Sequence, residues 1–228
     1  MKKRFFIAGT DTDAGKTLVT AGLLTAANRQ GLKTVGLKPV AAGCEQTPDG
    51  LRNADALQLQ QAASIKLSYE QINPVAFAPP IAPHIAAEQE GRALTADRLA
   101  AYCRGAMMQP ADLVLVEGAG GWRVPLNTRE SLARLPQLLE LDVILVVGMK
   151  LGCINHAILT AEAIARDGLR LVGWVANHVD PDMSCPDENL ATLERLFRAP
   201  LLGRVPWLEE PTADAAADHL DLSALWGE

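Results

Sequence analysis

Six short apolar runs punctuate the chain and restrict its fold more than any other feature. They are Phe5–Ala8, Thr34–Leu37, Leu113–Val116, Val143–Val147, Leu171–Val175 and Leu201–Val205. Each is four or five residues long and shows no polar alternation, as expected of strands covered on both faces. Between them lie Ala/Leu-rich segments with helical spacing. Leu18–Gln30 ends at Gly31 and Asn155–Asp167 ends at Gly168, and glycine readily takes the left-handed turn that closes a helix. Strand–helix alternation with right-handed crossovers predicts an α/β fold, a doubly wound and mostly parallel sheet. A length of 228 residues suits one domain spanning the whole chain, 1–228. The stretch Ile72–Pro83 breaks the pattern. Its four prolines, Pro74, Pro79, Pro80 and Pro83, predict a loop or irregular excursion, readable as an insertion shaping a pocket or as a plain connector.

Composition narrows the partners. With 49% hydrophobic and 21% charged residues, the chain has the balance of a folded protein. A net charge of −6, 4% aromatics and no basic block leave neither the charge nor the stacking platforms of a nucleic-acid binder. No apolar run approaches the ~20 residues of a membrane helix. The run within MKKRFF and beyond stops before Asp11, too short for a secretory leader, so a soluble cytoplasmic chain with no membrane partner is expected. Cys44, Cys103, Cys153 and Cys185 show no metal-binding or disulfide spacing and read as reduced thiols.

The chemistry gathers around GTDTDAGKT, Gly9 to Thr17, which joins the first strand to the first helix as a phosphate-binding loop does. Its glycines let backbone N–H groups close on an anion, and the helix start adds a favourable dipole. Lys16 is placed to reach β- and γ-phosphates, and the Thr17 hydroxyl to ligate Mg²⁺. The loop has five residues between Gly9 and Gly15, one more than the usual motif. Glu117 ends the strand LVLVE and opens EGAGG, so it lies at the strand end where ligands bind in open α/β sheets. Lys38 ends TVGLK at the same edge. A second lysine there suits a reaction that develops negative charge outside the nucleotide, the alternative being a surface lysine. Asp55 lies near a helix start, where it or Asn53 serves as an N-cap, or Asp55 as a metal ligand. The four histidines, His84, His156, His178 and His219, show no ligand spacing. Cys44 and Cys153 read as packing residues.

The blocks GTDTDAGKT, GLKPVAAG, TPDGLRNADAL, NPVAFAPPIAPHIAA, VEGAGGW, VVGMKLGCINHAILT, GWVANHV and LLGRVPW follow one another over nearly the whole chain. Together they closely resemble the dethiobiotin synthetases of bacterial biotin synthesis. That resemblance implies a homodimeric, P-loop NTPase-like ligase acting on 7,8-diaminononanoate, CO₂ and ATP with Mg²⁺. One amine is carbamylated, ATP phosphorylates the carbamate, and the second amine closes the cyclic urea. Carried over by the resemblance, Lys16, Lys38 and Thr12 are catalytic, and Thr17, Asp55 and Glu117 hold the metal. Asp13, Ala14, Gly15, Lys16, Thr17 and Leu18 wrap the phosphates. Glu117, Gly118, Ala119 and Gly120 line nucleotide and substrate, while Asn177, His178, Pro206, Trp207 and Leu208 contact adenine. Lys38 and Ala42 face the reacting end of the substrate. Leu151, Gly152, Cys153 and Asn155 receive its carboxylate at a helix N-terminus across the dimer interface.

Two departures stand out. Where related sequences often read PVASG this chain reads PVAAG, so Ala42 lacks a hydroxyl expected to contact the carbamate or its amine. The segment after Trp207, LEEPTADAAAD, matches poorly, with Glu210 its one candidate contact. Three other readings fit less well. A partition-type or metal-insertion ATPase usually carries an extra lysine ahead of the loop, and none lies between Arg4 and Lys16. A cobyrinate-type amide synthase needs a glutaminase domain that this length does not accommodate. A bare nucleotide-binding module leaves Lys38 unexplained.

Overall fold

The computed structural model describes residues 2–226. In chain order the strands are β1 Lys3–Gly9, β2 Thr34–Leu37, β3 Val40–Ala41, β4 Glu45–Thr47, β5 Gly50–Arg52, β6 Val75–Ala76, β7 Leu113–Glu117, β8 Asp142–Met149, β9 Leu171–His178 and β10 Leu201–Val205. The helices are α1 Lys16–Arg29, α2 Ala54–Ala62, α3 Tyr69–Ile72, α4 Pro83–Gln89, α5 Ala96–Ala106, α6 Arg134–Leu138, α7 Cys153–Arg166, α8 Pro186–Leu196, α9 Ala213–Ala217 and α10 Ser223–Trp226. The six predicted strands form one sheet in the order β10-β9-β8-β1-β7-β2, and every pairing in it is parallel.

The unbroken apolar runs follow from two cores, one on each face. Along β1, Phe6 and Ala8 belong to one core while Phe5 and Ile7 belong to the other. The same division separates Val114 and Val116 from Leu113 and Leu115 in β7, and Val143, Leu145 and Val147 from Ile144 and Val146 in β8. A side chain such as Leu115, wholly buried, contributes about 2–3 kcal/mol by leaving water. Among the described residues no helix is long and apolar enough to cross a membrane.

Helix boundaries carry functional information. Both predicted C-termini hold: Gly31 and Gly168 take φ of 80° and 77°, and Leu32 and Leu169 donate back to Ala27 and Ile164 in the Schellman pattern. The N-termini begin two residues earlier than expected, at Lys16 and Cys153. Their caps are Gly15 and Gly152, both left-handed and neither able to make a side-chain cap. Two helices therefore open without a side-chain cap at the carboxyl edge of the sheet.

The proline-rich stretch is ordered rather than a free linker. Val75–Ala76 pairs with Val40–Ala41, Phe77 is fully buried, and Pro83 opens α4 at a position where a missing N–H costs nothing. The tail forms α9, whose Ala216 packs so closely on α1 that a Cβ built on Gly22 meets Ala216 Cβ at 2.9 Å. The β4–β5 hairpin, closed by Thr47 Oγ1 donating to Gly50 O at 2.8 Å, is an element the sequence reading did not anticipate.

Candidate active site

β1 lies at the middle of the sheet, with the chain continuing to β2 on one side and β8 filling the other. Its carboxyl end is therefore the crossover point at which open α/β sheets bind ligands. Gly9 to Thr17 emerges there. Asp13 and Gly15 take positive φ of 60° and 81°, so the loop folds over the start of α1. Gly15 admits no substitute, because a Cβ there would lie 2.0 Å from Asn177 Nδ2. That amide donates to Ala14 O at 3.0 Å, tying the end of β9 to the loop. Asn177 Oδ1 is buried with no hydrogen-bond partner among the described residues.

Lys16 is buried, and its Nζ donates to Asp11 O at 3.0 Å inside the loop. Burial, and then the neighbouring Lys38, lower its pKa to about 8. Asp11 also accepts from Thr12 N–H at 2.8 Å and pairs with Lys150 at 3.1 Å. The sequence reading did not single out Asp11 or Lys150.

Lys38 is the electrostatic centre of the site. Its side chain leaves the end of β2 and is 4% exposed, so the surface-lysine reading does not hold. Nζ lies 2.6 Å from Glu117 Oε1, 2.9 Å from Asp55 Oδ2 and 3.3 Å from Gly118 O. Burial works against its charge, but Glu117 and Asp55 outweigh it and hold the ammonium's pKa above the ordinary lysine range. Burial likewise opposes the charge of Asp55, and Lys38 overrides it to lower that pKa. Thr17 Oγ1 donates to the same Glu117 Oε1 at 2.7 Å, while Glu117 Oε2 is buried with no hydrogen-bond partner among the described residues. The capping question at α2 is resolved: Asn53 Oδ1 accepts from Ala56 N–H, which leaves the Asp55 carboxylate facing Lys38.

Support for Lys38 comes from residues that no sequence signal marked. Asn73 Nδ2 donates to Lys38 O at 2.6 Å. Tyr69 OH donates to Asn73 Oδ1 at 2.9 Å and accepts from Asn53 N–H at 2.7 Å. One short chain of hydrogen bonds thus fixes both the strand end carrying Lys38 and the cap of the helix carrying Asp55.

Lys16, Thr17, Lys38 and Asp55 open on a cavity of about 640 Å³. Its walls bring together Thr12, Asp13, Gly15, Lys16, Thr17 and Leu18 with Lys38, Ala42, Asp55, Ala119 and Gly120, and Pro80–Pro83 form its far side. The pocket-shaping reading of the proline-rich stretch is therefore the one the geometry favours. A separate cleft of about 120 Å³ lies beyond β9 and β10 and is lined by His178, Pro206 and half-exposed Trp207. Arg204 Nε donates to His178 Nε2 there at 3.0 Å.

The start of α7 stands apart from the cavity. Leu151 is 90% exposed and Asn155 is exposed, whereas Cys153 is buried and its N–H already donates to Lys150 O. Any anion at this helix start would meet the free N–H groups of Ile154 and Asn155 rather than the Cys153 thiol. Cys44 is also buried, with its pKa raised by burial, in keeping with a packing role.

The donor set suits a hard divalent cation. Two carboxylates and a hydroxyl converge, one carboxylate oxygen has no hydrogen-bond partner among the described residues, and phosphate and water oxygens would complete the coordination of an ion such as Mg²⁺.

Comparison with known proteins agrees with this geometry. A family model described as an AAA domain matches residues 3–215. A protein of Cellvibrio japonicus named ATP-dependent dethiobiotin synthetase BioD is 64% identical, the match covering 98% of each chain. A Pseudomonas aeruginosa protein of the same name is 61% identical over 97% of each, and a Salmonella typhi protein named BioD 1 is 53% identical over 99% of each. Among solved structures, cobyrinic acid a,c-diamide synthase from Mycobacterium smegmatis matches with a TM-score of 0.57 at 15% identity, covering 96% of this chain and 92% of that one. The septum site-determining protein MinD from Pyrococcus horikoshii matches with 0.56 at 15%, covering 100% and 90%. At that identity the two structures speak for a P-loop NTPase-like fold alone. The near full-length identity of the relatives does more: this chain belongs to the family of ATP-dependent dethiobiotin synthetases.

Proposed function

We propose that this chain closes a cyclic urea on 7,8-diaminononanoate, using CO₂ and ATP, to give dethiobiotin, ADP and phosphate. The carrying observation is a pair of buried lysines, Lys16 in the phosphate loop and Lys38 between two carboxylates, opening on one cavity. A nucleotide hydrolase needs the first of these. The second suits a reaction in which another anion must be held and phosphorylated.

In this reading one substrate amine adds CO₂ and loses a proton to become a carbamate. A carbamate oxygen then attacks the γ-phosphorus and ADP leaves. The second amine attacks the carbon of the mixed anhydride, phosphate departs with that carbamate oxygen, and the proton lost by the amine passes to the departing phosphate or to water. Lys16 and the backbone N–H groups of the loop hold the transferring phosphoryl group, assisted by Thr12. Lys38 stabilises the carbamate and the charge of the developing anhydride. Thr17, Asp55 and Glu117 would hold Mg²⁺, which when bound neutralises charge on the β- and γ-phosphates. Most of the acceleration then comes from positioning and fixed charge.

Asn177, His178 and the Pro206–Leu208 segment bind the base, with the orphaned Asn177 Oδ1 available to accept a hydrogen bond. The free N–H groups opening α7 take the substrate carboxylate from the partner subunit's site in a homodimer, consistent with the exposure of Leu151. The enzyme works in the cytoplasm. The test is phosphate release from Mg·ATP in bicarbonate buffer with and without the diamine. Release that requires the diamine supports the reaction; release that ignores it reduces the site to an ATPase.

Two expectations follow from local chemistry. Ala42 lies on the cavity wall without a hydroxyl. Ala42→Ser should lower the diamine's KM by up to about fivefold, equivalent to about 1 kcal/mol for one regained hydrogen bond. A clear rise in KM would contradict the placement of Ala42 beside the reacting end.

The second concerns pH. In the free enzyme Lys16 has a pKa of about 8, and bound phosphates raise it. Below about pH 8 the lysine is already protonated and affinity is full. Above it, binding must take up a proton, so affinity for a non-hydrolysable ATP analogue should fall by up to about tenfold per pH unit. Calorimetry between pH 7 and 9.5, in two buffers of different ionisation enthalpy, should show that uptake. A flat profile would contradict it.

A further inference from the structure

We propose that in the nucleotide-free enzyme the Lys38 ammonium stands in for the divalent cation between Asp55 and Glu117, and turns toward the carbamate only when metal arrives with ATP. The inference rests on the assignment of Thr17, Asp55 and Glu117 as the metal-holding residues and adds a competitor for their place.

The contacts leave little room for both cations. Nζ lies 2.6 Å from Glu117 Oε1 and 2.9 Å from Asp55 Oδ2. The Thr17 hydroxyl lies 2.7 Å from that same Glu117 oxygen. Two of the three groups proposed to ligand an ion thus already contact a positive charge, and the third bonds to one of those two. A second cation on these carboxylates, with Lys38 unmoved, would face a like charge at contact distance in a buried site.

The lysine also leaves the acceptors incompletely satisfied. Glu117 Oε2 is buried with no hydrogen-bond partner among the described residues. An ammonium brings three donors, and Lys38 directs its contacts to Glu117 Oε1, Asp55 Oδ2 and Gly118 O. A hydrated ion carries several waters and can serve the remaining oxygen. Lys38 has somewhere to go, since its own side chain lines the 640 Å³ cavity. Its flexible four-carbon stem lets the ammonium swing without moving the strand. Two consequences follow. Metal alone binds poorly, and the lysine that stabilises the carbamate becomes free only once the phosphoryl donor is in place.

The decisive experiment titrates Mn²⁺ alone into nucleotide-free protein and reads free Mn²⁺ by electron paramagnetic resonance. Lys38→Met, although stripped of a lysine assigned to catalysis, should bind Mn²⁺ about tenfold or more tightly than the wild type, because two carboxylates lose their partner. Equal or weaker binding overturns the proposal. Should Lys38→Met be marginally stable, its melting temperature supplies a second readout: Mn²⁺ should raise it more than it raises that of the wild type, and an equal rise overturns the proposal. Adding Asp55→Asn or Glu117→Gln to Lys38→Met should abolish the tight site. Tight binding that survives both overturns the metal assignment itself. Unchanged Mn²⁺ affinity in Lys38→Met, with Mn·ATP analogue binding still dependent on Asp55 and Glu117, removes only the stand-in role.

Discussion

Lys16→Gln should leave the fold intact and lower turnover by about 10³-fold or more. The fold survives because, among the described residues, Lys16 Nζ makes one hydrogen bond, to Asp11 O, and glutamine retains a donor on a shorter stem. Turnover collapses because no other described residue of the loop brings a positive charge to the transferring phosphoryl group. Lys38, at the end of β2, is assigned to the carbamate rather than to the phosphoryl group and does not replace Lys16. Phosphate release together with a thermal melt checks both halves. Near-normal turnover in a well-folded variant would remove Lys16 from the mechanism.

Glu117→Gln should cost both stability and activity. The carboxylate is 1% exposed and supplies the shorter of the two ion pairs to buried Lys38, at 2.6 Å. Once it is neutral, Lys38 depends on Asp55, whose side chain is 45% exposed and better screened by water. A partly uncompensated buried charge of this kind costs about 3 kcal/mol, roughly a 6–12 °C lower melting temperature at this chain length. Turnover should fall on the order of 10²-fold or more, since a metal-holding oxygen and the lysine's anchor are lost together. A variant with wild-type melting and wild-type turnover would show that Lys38 is held by something other than Glu117.

The sheet was legible because of how it is buried. Strands with a core on each face cannot afford polar positions, so Leu113–Val116 or Val143–Val147 stand out as short unbroken apolar runs. The strand-end placements of Lys38 and Glu117 followed directly. Two kinds of feature were not legible. The starts of α1 and α7 were misjudged by two residues because Gly15 and Gly152 cap them with left-handed backbone rather than with a serine, threonine or aspartate. The β4–β5 hairpin was missed because three-residue polar strands carry no periodic signal.

The site's electrostatics lay further out of reach. Lys38 meets Asp55 across 17 residues of sequence and Glu117 across 79, so their convergence is a property of the sheet order rather than of any motif. Asp55 illustrates the point. Spacing left cap and ligand equally open, and only the bond from Ala56 N–H to Asn53 Oδ1 shows which residue caps the helix. Tyr69 and Asn73, which brace both partners, sit just before and within the proline-rich stretch, where no spacing or motif ties either of them to Lys38 or Asp55.

One measurement bears most directly on the claim that this site couples ATP to urea closure: the fate of oxygen from ¹⁸O-labelled bicarbonate during turnover with the diamine and Mg·ATP. A carbamate oxygen that attacks the γ-phosphorus must leave with phosphate when the ring closes. The expected result is ¹⁸O in the released phosphate, together with a product whose mass matches the cyclic urea. Phosphate released without label, or at a rate indifferent to the diamine, would contradict it.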